Sequence, residues 1–147
     1  MSEEHIGACG RIVGALDLFR RYGLSGDAAA RLLARALAEG RADLRVALDE
    51  QGAVQGFAWF VPRGAFDRSG YLRLIAVDPV CRAGAGRRLL EALEADHLPH
   101  GGVLLLSTSD NRAAHRFYEG LGYHQVGRLP GYVHPDLDEL IFYKPPA

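Results

Sequence analysis

The run Leu74-Ile75-Ala76-Val77-Asp78-Pro79-Val80-Cys81-Arg82-Ala83-Gly84-Ala85-Gly86-Arg87-Arg88-Leu89-Leu90 decides the fold. Its first four residues continue the apolar pattern of Tyr71-Leu72-Arg73 and read as a strand over residues 71–77, which Asp78-Pro79 ends. A short glycine-bearing loop follows, and Leu89, Leu90 and Leu93 then recur at helical spacing, predicting a helix to about His97. Next comes Val103-Leu104-Leu105-Leu106, a near-continuous apolar run of the kind that forms a strand covered on both faces. Strand, helix, strand is a βαβ unit with a right-handed crossover, so the chain reads as an α/β domain with a mixed sheet.

Upstream, Leu44-Arg45-Val46-Ala47-Leu48 and residues 53–61 (AVQGFAWFV) form a hairpin pattern about Asp49-Glu50-Gln51-Gly52, and residues 62–70 read as a loop. Trp59 fits sheet-face packing. Before them lie two helical patterns, residues 9–22 with Ile12, Leu16 and Phe19, and a second capped by Ser25 or Asp27 and stopped at Gly40. Downstream, a helix begins near Asp110 and ends at Gly120 to Gly122, followed by strands around residues 123–126 and 140–144. Nothing marks a boundary, so residues 1–147 are expected to be one domain: helices over about 8–40, then a mixed sheet over about 44–144.

Composition narrows the function. Lys+Arg is 17 and Asp+Glu is 18, for a net charge of -1, which lacks the basic footprint of a nucleic-acid binder. No uncharged run approaches the roughly 20 residues that span a bilayer, and the acidic opening MSEEHIGACGR does not read as a secretory signal. Cys9 and Cys81 lie in no metal-ligand spacing, so no metal is expected and a reducing cytoplasm is the default.

Chemistry concentrates at the loop. Small residues let a ligand approach the backbone, and a helix N-terminus presents unpaired N–H groups and a positive dipole end. With Arg82, Arg87 and Arg88 beside it, this is either an anion site suited to a diphosphate or a plain βα turn with solvated arginines. A dinucleotide fingerprint fails, because the third glycine is absent and Leu106-Ser107-Thr108 carries no acid. A Walker A loop also fails, because Arg87-Arg88 follows Gly86. The second segment is Asp110-Asn111-Arg112-Ala113-Ala114-His115-Arg116-Phe117-Tyr118-Glu119-Gly120-Leu121-Gly122-Tyr123. Periodicity there makes Tyr118 a core aromatic whose hydroxyl needs a partner.

Together the two segments resemble the GNAT superfamily of acyl-coenzyme A-dependent N-acetyltransferases, over about residues 44–144. The resemblance rests on Val77-Asp78-Pro79, the Cys81 to Gly86 loop, Leu89-Leu90, and then Asn111, Ala114, Phe117, Tyr118, Gly122 and Tyr123. It implies a mixed sheet flanked by helices, with acetyl-CoA as cosubstrate. Backbone amides of Arg82, Ala83, Gly84, Ala85, Gly86, Arg87 and Arg88 would hold the pyrophosphate. The backbone of Ile75, Ala76 and Val77 would pair with the pantetheine arm between splayed strands at residues 71–77 and 103–107. Asn111 would touch the cofactor, and an N–H near Val77 would stabilise the oxyanion. Tyr118 would protonate the leaving sulfur, since a phenol of pKa near ~10 is protonated at neutral pH.

The implied reaction is direct attack by a primary amine, on a small molecule or a peptide, in a ternary complex. No nucleophile constellation suggests a covalent route. Its alternative is a non-catalytic module that binds or senses acyl-CoA. A homodimer is compatible with the resemblance, since family members often dimerise. Three features depart from the pattern. Either Cys81 or Arg82 fills the Arg/Gln position of a loop one residue short. The usual first strand is missing unless residues 2–6 supply it. No glutamate lies in the central strand to act as base, which leaves Asp67, His124, His134 and Asp136 as loop candidates; the Pro130 to Glu139 segment either borders the acceptor, where its Tyr, His and acidic side chains would receive a cationic amine, or is a solvated loop. Cys81, near a helix N-terminus, is either a reactive thiol or a small loop residue.

Overall fold

A computed structural model describes residues 1–81 and 84–147. Three helices come first: α1 (Glu3–Ala15), α2 (Asp17–Arg21) and α3 (Gly26–Glu39). Ser25 Oγ accepts from the Ala28 N–H at the start of α3, and Gly40 ends it at φ 67°, in the left-handed conformation that glycine adopts without strain. The helix expected over residues 9–22 is instead two, because Leu16 adopts an extended conformation between them. Residues 2–6 are capped helix rather than strand, so the sheet starts at β1. Helices α1 and α3 meet at Gly10 and Gly26. A Cβ on Gly26 would lie 2.5 Å from the Gly10 carbonyl oxygen, so only glycine permits this approach.

Six strands follow: β1 (Asp43–Leu48), β2 (Val54–Ala65), β3 (Ser69–Val77), β4 (Val103–Thr108), β5 (His124–His134) and β6 (Leu137–Lys144). Helix α4 (Ala85–His97), followed by a 3-10 turn, joins β3 to β4, and α5 (Arg112–Glu119) joins β4 to β5. The sheet order is β1-β2-β3-β4-β6-β5, with only β3 and β4 parallel. Two expected loops are strand. Residues 62–70 turn tightly, with Arg63, Phe66 and Asp67 at positive φ, and β5 and β6 run on to a turn at Pro135-Asp136.

Each face of the sheet carries its own core. On one, Leu72, Leu90, Leu93, Leu105, Tyr118, Tyr123 and Phe142 pack beneath α4 and α5. On the other, Cys9, Val13, Phe19, Leu33, Phe57, Trp59 and Ala76 pack beneath α1 to α3. Leu72 and Leu74 are two residues apart yet belong to opposite cores. The reason is a bulge: Trp59 pairs with Leu74 and the adjacent Phe60 with Leu72, so Arg73 is an extra residue in β3.

Candidate active site

The bulge sits where β3 leaves β4. The two strands pair only at Gly70↔Val103, Tyr71↔Leu104 and Leu72↔Leu105. Beyond those pairs they part, and a cleft of about 730 Å³ opens through the sheet, lined from both faces.

One half of this cleft is made of backbone. Asp78 N donates to Gln55 O (2.8 Å), which fixes the phase of the β2–β3 ladder. By the alternation of an antiparallel pair, Ala76 exchanges its bonds with Phe57, whereas Ile75 and Val77 turn their N–H and C=O groups away from β2. Ile75 and Val77 line the cleft; Ala76, expected beside them, is buried against the α1–α3 core and has its backbone committed to β2. At the end of this edge stands the N-terminus of α4. Gly84 is its N-cap at φ 68°, no side chain among the described residues caps it, and the N–H groups of Ala85, Gly86 and Arg87 lie in its first turn. Gly84, Ala85, Gly86 and Arg87 all line the cleft. Arg87 pairs with Glu91 (3.2 Å), and Arg88 Nη2 donates to Gln55 (3.2 Å). The expected contributions of Arg82 and Ala83 lie outside the described residues. The arrangement fits a diphosphate carried on an extended arm: uncapped amides at a helix N-terminus, then a free strand edge to pair with.

Asn111 and Tyr118 border the same cleft from α5. The Asn111 side chain caps the helix, its Oδ1 accepting from Ala114 N (3.2 Å), which leaves the amide nitrogen to reach a ligand. Tyr118 is 7% exposed and packs edge-on to Phe117 and Tyr123. Burial pushes its hydroxyl up to about 12, and that hydroxyl makes no hydrogen bond to a described residue. It is therefore a protonated donor at neutral pH.

The other half is made of side chains from distant segments. Leu18, Phe19 and Tyr22 of α2 and its C-cap, Tyr71 and Arg73 of β3, Thr108 of β4, and Glu139 of β6 line it. Along β6, Leu140 and Phe142 face the α4–α5 core, so Glu139 faces α2. There Tyr22 donates to Glu139 Oε1 (2.6 Å). Burial and the Glu139 carboxylate together hold the Tyr22 phenol well above its usual range. Burial likewise raises the Tyr71 phenol. The Arg73 guanidinium lies 4.3 Å from the centre of the Trp59 ring.

None of Asp67, His124, His134 and Asp136 lines the cleft. Asp67 sits at the β2–β3 tip with its carbonyl bonded to Arg63, and Asp136 N donates to His134 at the β5–β6 tip. Sequence reading missed Glu139 and Tyr22 as a pair, since 117 positions separate them. Cys81 also lines the cleft, beside the α4 loop. Among the described residues no group of His, Cys, Asp and Glu could hold a metal, and no helix is long and apolar enough to cross a membrane.

Known proteins share both sequence pattern and architecture. The sequence profile of the Acetyltransferase (GNAT) family matches residues 15–123. Ard1 from Thermoplasma volcanium superposes with a TM-score of 0.80 at 23% identity, covering 100% of this chain and 95% of that one. The ribosomal-protein-S18-alanine N-acetyltransferase from Escherichia coli gives 0.68 at 27% identity, over 80% of this chain and 77% of that one. An aminoglycoside 6'-N-acetyltransferase complexed with coenzyme A gives 0.75 at 17% identity, over 99% and 91%. The chain belongs to the GNAT acetyltransferase family and is an acyltransferase.

Proposed function

We propose that this acyltransferase transfers an acetyl group from acetyl-CoA to a primary amine by direct attack within a ternary complex. The observation that carries the reading is the parting of β3 from β4, which leads from the uncapped N-terminus of α4 to the Tyr118 hydroxyl. Bound there, the cosubstrate supplies the activated acyl group. The amides of Ala85, Gly86 and Arg87 bind its diphosphate, with the α4 dipole favouring the negative charge. Ile75 and Val77 hold the pantetheine arm as an added strand. Asn111 adds a polar contact from α5. A cleft-facing N–H near Val77 stabilises the oxyanion. Tyr118 donates its proton to the departing sulfur and regains one from the new amide nitrogen.

We place this chemistry in the cytoplasm, a setting supported by two free thiols, Cys9 and Cys81. The test mixes protein, acetyl-CoA and a panel of amines and follows released thiol. Replacing Tyr118 by Phe is expected to lower turnover about a hundredfold or more, with acetyl-CoA affinity by calorimetry nearly unchanged. Equal turnover in the two proteins removes Tyr118 from the mechanism. Acetyl-CoA binding without thiol release across the panel favours a sensor.

A further inference from the structure

Glu139 is the unusual charge of this molecule. Two glutamates are buried. Glu94 is 8% exposed and pairs with Lys144 (2.6 Å), whereas Glu139 is 3% exposed and has no cationic partner among the described residues. A buried carboxylate lacking a cation is costly unless something supplies one. Its hydrogen bond from Tyr22 satisfies one oxygen and leaves the charge uncompensated. A second polar group waits beside it. Thr108 lies directly across from Glu139 in the β4–β6 ladder, so the two side chains share a face. Thr108 is 2% exposed and its Oγ1 finds no hydrogen-bond partner among the described residues. Both residues line the cleft.

We propose that Glu139 receives the acceptor's ammonium group and takes its proton, with Tyr22 as the residue that positions the carboxylate. This rests on the acyl-transfer reading above. The ammonium is the missing cation, and the Thr108 hydroxyl is a further group for it to bond. An alkyl amine with pKa near ~10.4 arrives charged, so one proton must leave before attack. Glu139 takes that proton and passes it to solvent. The free amine then forms the C–N bond as the C–S bond breaks. Tyr118 gives its proton to the sulfur and recovers one from the amide nitrogen, so one proton is released per transfer.

The groups that line this half of the cleft with Glu139 also define the acceptor class. They are Tyr22 from the end of α2, Tyr71 and Arg73 from β3, and Thr108 from β4, with Leu18 and Phe19 adding apolar wall. Among the described residues this half of the cleft carries one carboxylate and one guanidinium, so a second positive centre on the acceptor would meet the like charge of Arg73. The acceptor is a primary monoamine with an apolar body.

The experiment uses the full chain, with phenethylamine and butylamine as monoamine probes and spermidine as the polycation. Wild-type protein is expected to acetylate the monoamines with higher kcat/KM than spermidine; the reverse order overturns the acceptor class. Glu139→Gln keeps an acceptor for the Tyr22 hydroxyl. It is expected to lose about a hundredfold in kcat/KM for phenethylamine at pH 7.5 with acetyl-CoA affinity unchanged. The deficit should shrink to about tenfold at pH 10, where the amine brings its own free base. Tyr22→Phe is expected to lose about tenfold, and the double variant to be no worse than Glu139→Gln, since Tyr22 acts through Glu139. Calorimetry of phenethylamine with the coenzyme A complex reads the ammonium site without turnover, and circular dichroism reports folding. Glu139→Asp, which keeps the charge, stands in if Gln does not fold, and it should fall between the two.

Glu139→Gln within about threefold of wild type overturns the proposal. So does a wild-type protein that binds acetyl-CoA yet neither binds nor acetylates any amine, which leaves the cofactor half of the reading intact. A protein that binds no acetyl-CoA overturns the acyl-transfer reading instead, and the heat of phenethylamine binding to the free protein, present in wild type and lost in Glu139→Gln, then decides the ammonium site.

Discussion

The two halves of the cleft are built from different materials. Where coenzyme A is proposed to lie, the walls are main chain: the outer edge of β3 and the first turn of α4, contributed by one continuous stretch of sequence. Where the amine is proposed to lie, the walls are side chains from α2, β3, β4 and β6. A site made of amides tolerates changes of side chain and fails when the backbone changes. A site made of side chains does the reverse. The first can stay constant while the second is rewritten, which is how one scaffold serves many acceptors.

That contrast can be broken most forcefully with proline, which deletes one N–H. Ala76→Pro removes a ladder bond to β2 in the middle of the sheet and is expected to destabilise the fold, seen as lost thermal stability. Val77→Pro removes an N–H that faces the cleft, so the protein should remain folded and lose affinity for acetyl-CoA. If both variants unfold alike, the assigned ladder phase is wrong. Next in size is Gly84→Val. A β-branched residue at φ 68° is strained by about 1–2 kcal/mol, and acetyl-CoA affinity should fall about tenfold while amine binding is spared.

Gly26→Ala acts on the other half. Its methyl would press on the Gly10 carbonyl, forcing α3 from α1 at a cost of about 1–3 kcal/mol. The Tyr22 region moves with these helices, so the amine KM should rise more than the acetyl-CoA KM. A pH profile sharpens the junction of the halves. With the Tyr118 hydroxyl pushed up to about 12, no loss of its acid function is expected below about pH 11. The same shift favours the neutral phenol in the folded state; that contribution is full below pH 10 and fades between 10 and 12. An alkaline limb near pH 9 in kcat, persisting in Tyr118→Phe, would belong to another group. The smallest effect belongs to Val133, half-exposed at the cleft rim on β5: Val133→Ala should shift preference among amines by about threefold or less and leave acetyl-CoA untouched.

Legibility in the sequence follows the same division. The run from Leu74 to Leu90 and the segment from Asn111 to Tyr123 are local, and their glycines and spacing record what the backbone must do. The strand, turn and helices that frame this half were readable for that reason, although strand periodicity alone does not tell Ala76 from Ile75 and Val77; the ladder phase does. Glu139 was readable only as one acid of a segment that either borders the acceptor or is a solvated loop, and its pairing with Tyr22 was not readable. Pro130, Gly131 and Pro135 give its surroundings the look of a loop, yet β5 continues through Pro130 and Gly131 and β6 starts just past the Pro135-Asp136 turn, helped by Asp138 accepting from Gly131 N (3.0 Å). Tyr22 looked like the end of one long helix, whereas the break at Leu16 redirects the chain and brings the phenol to β6.

The extra residue in β3 has a consequence for how this protein can change length. Deleting Arg73 would make Leu72 and Leu74 consecutive, and each already faces the core that a regular alternation would give it. The shortened strand could therefore run straight and zip up alongside β4. Such a chain is expected to melt no lower than its parent and to bind nothing, because the gap it needs exists only while the strand carries one residue too many.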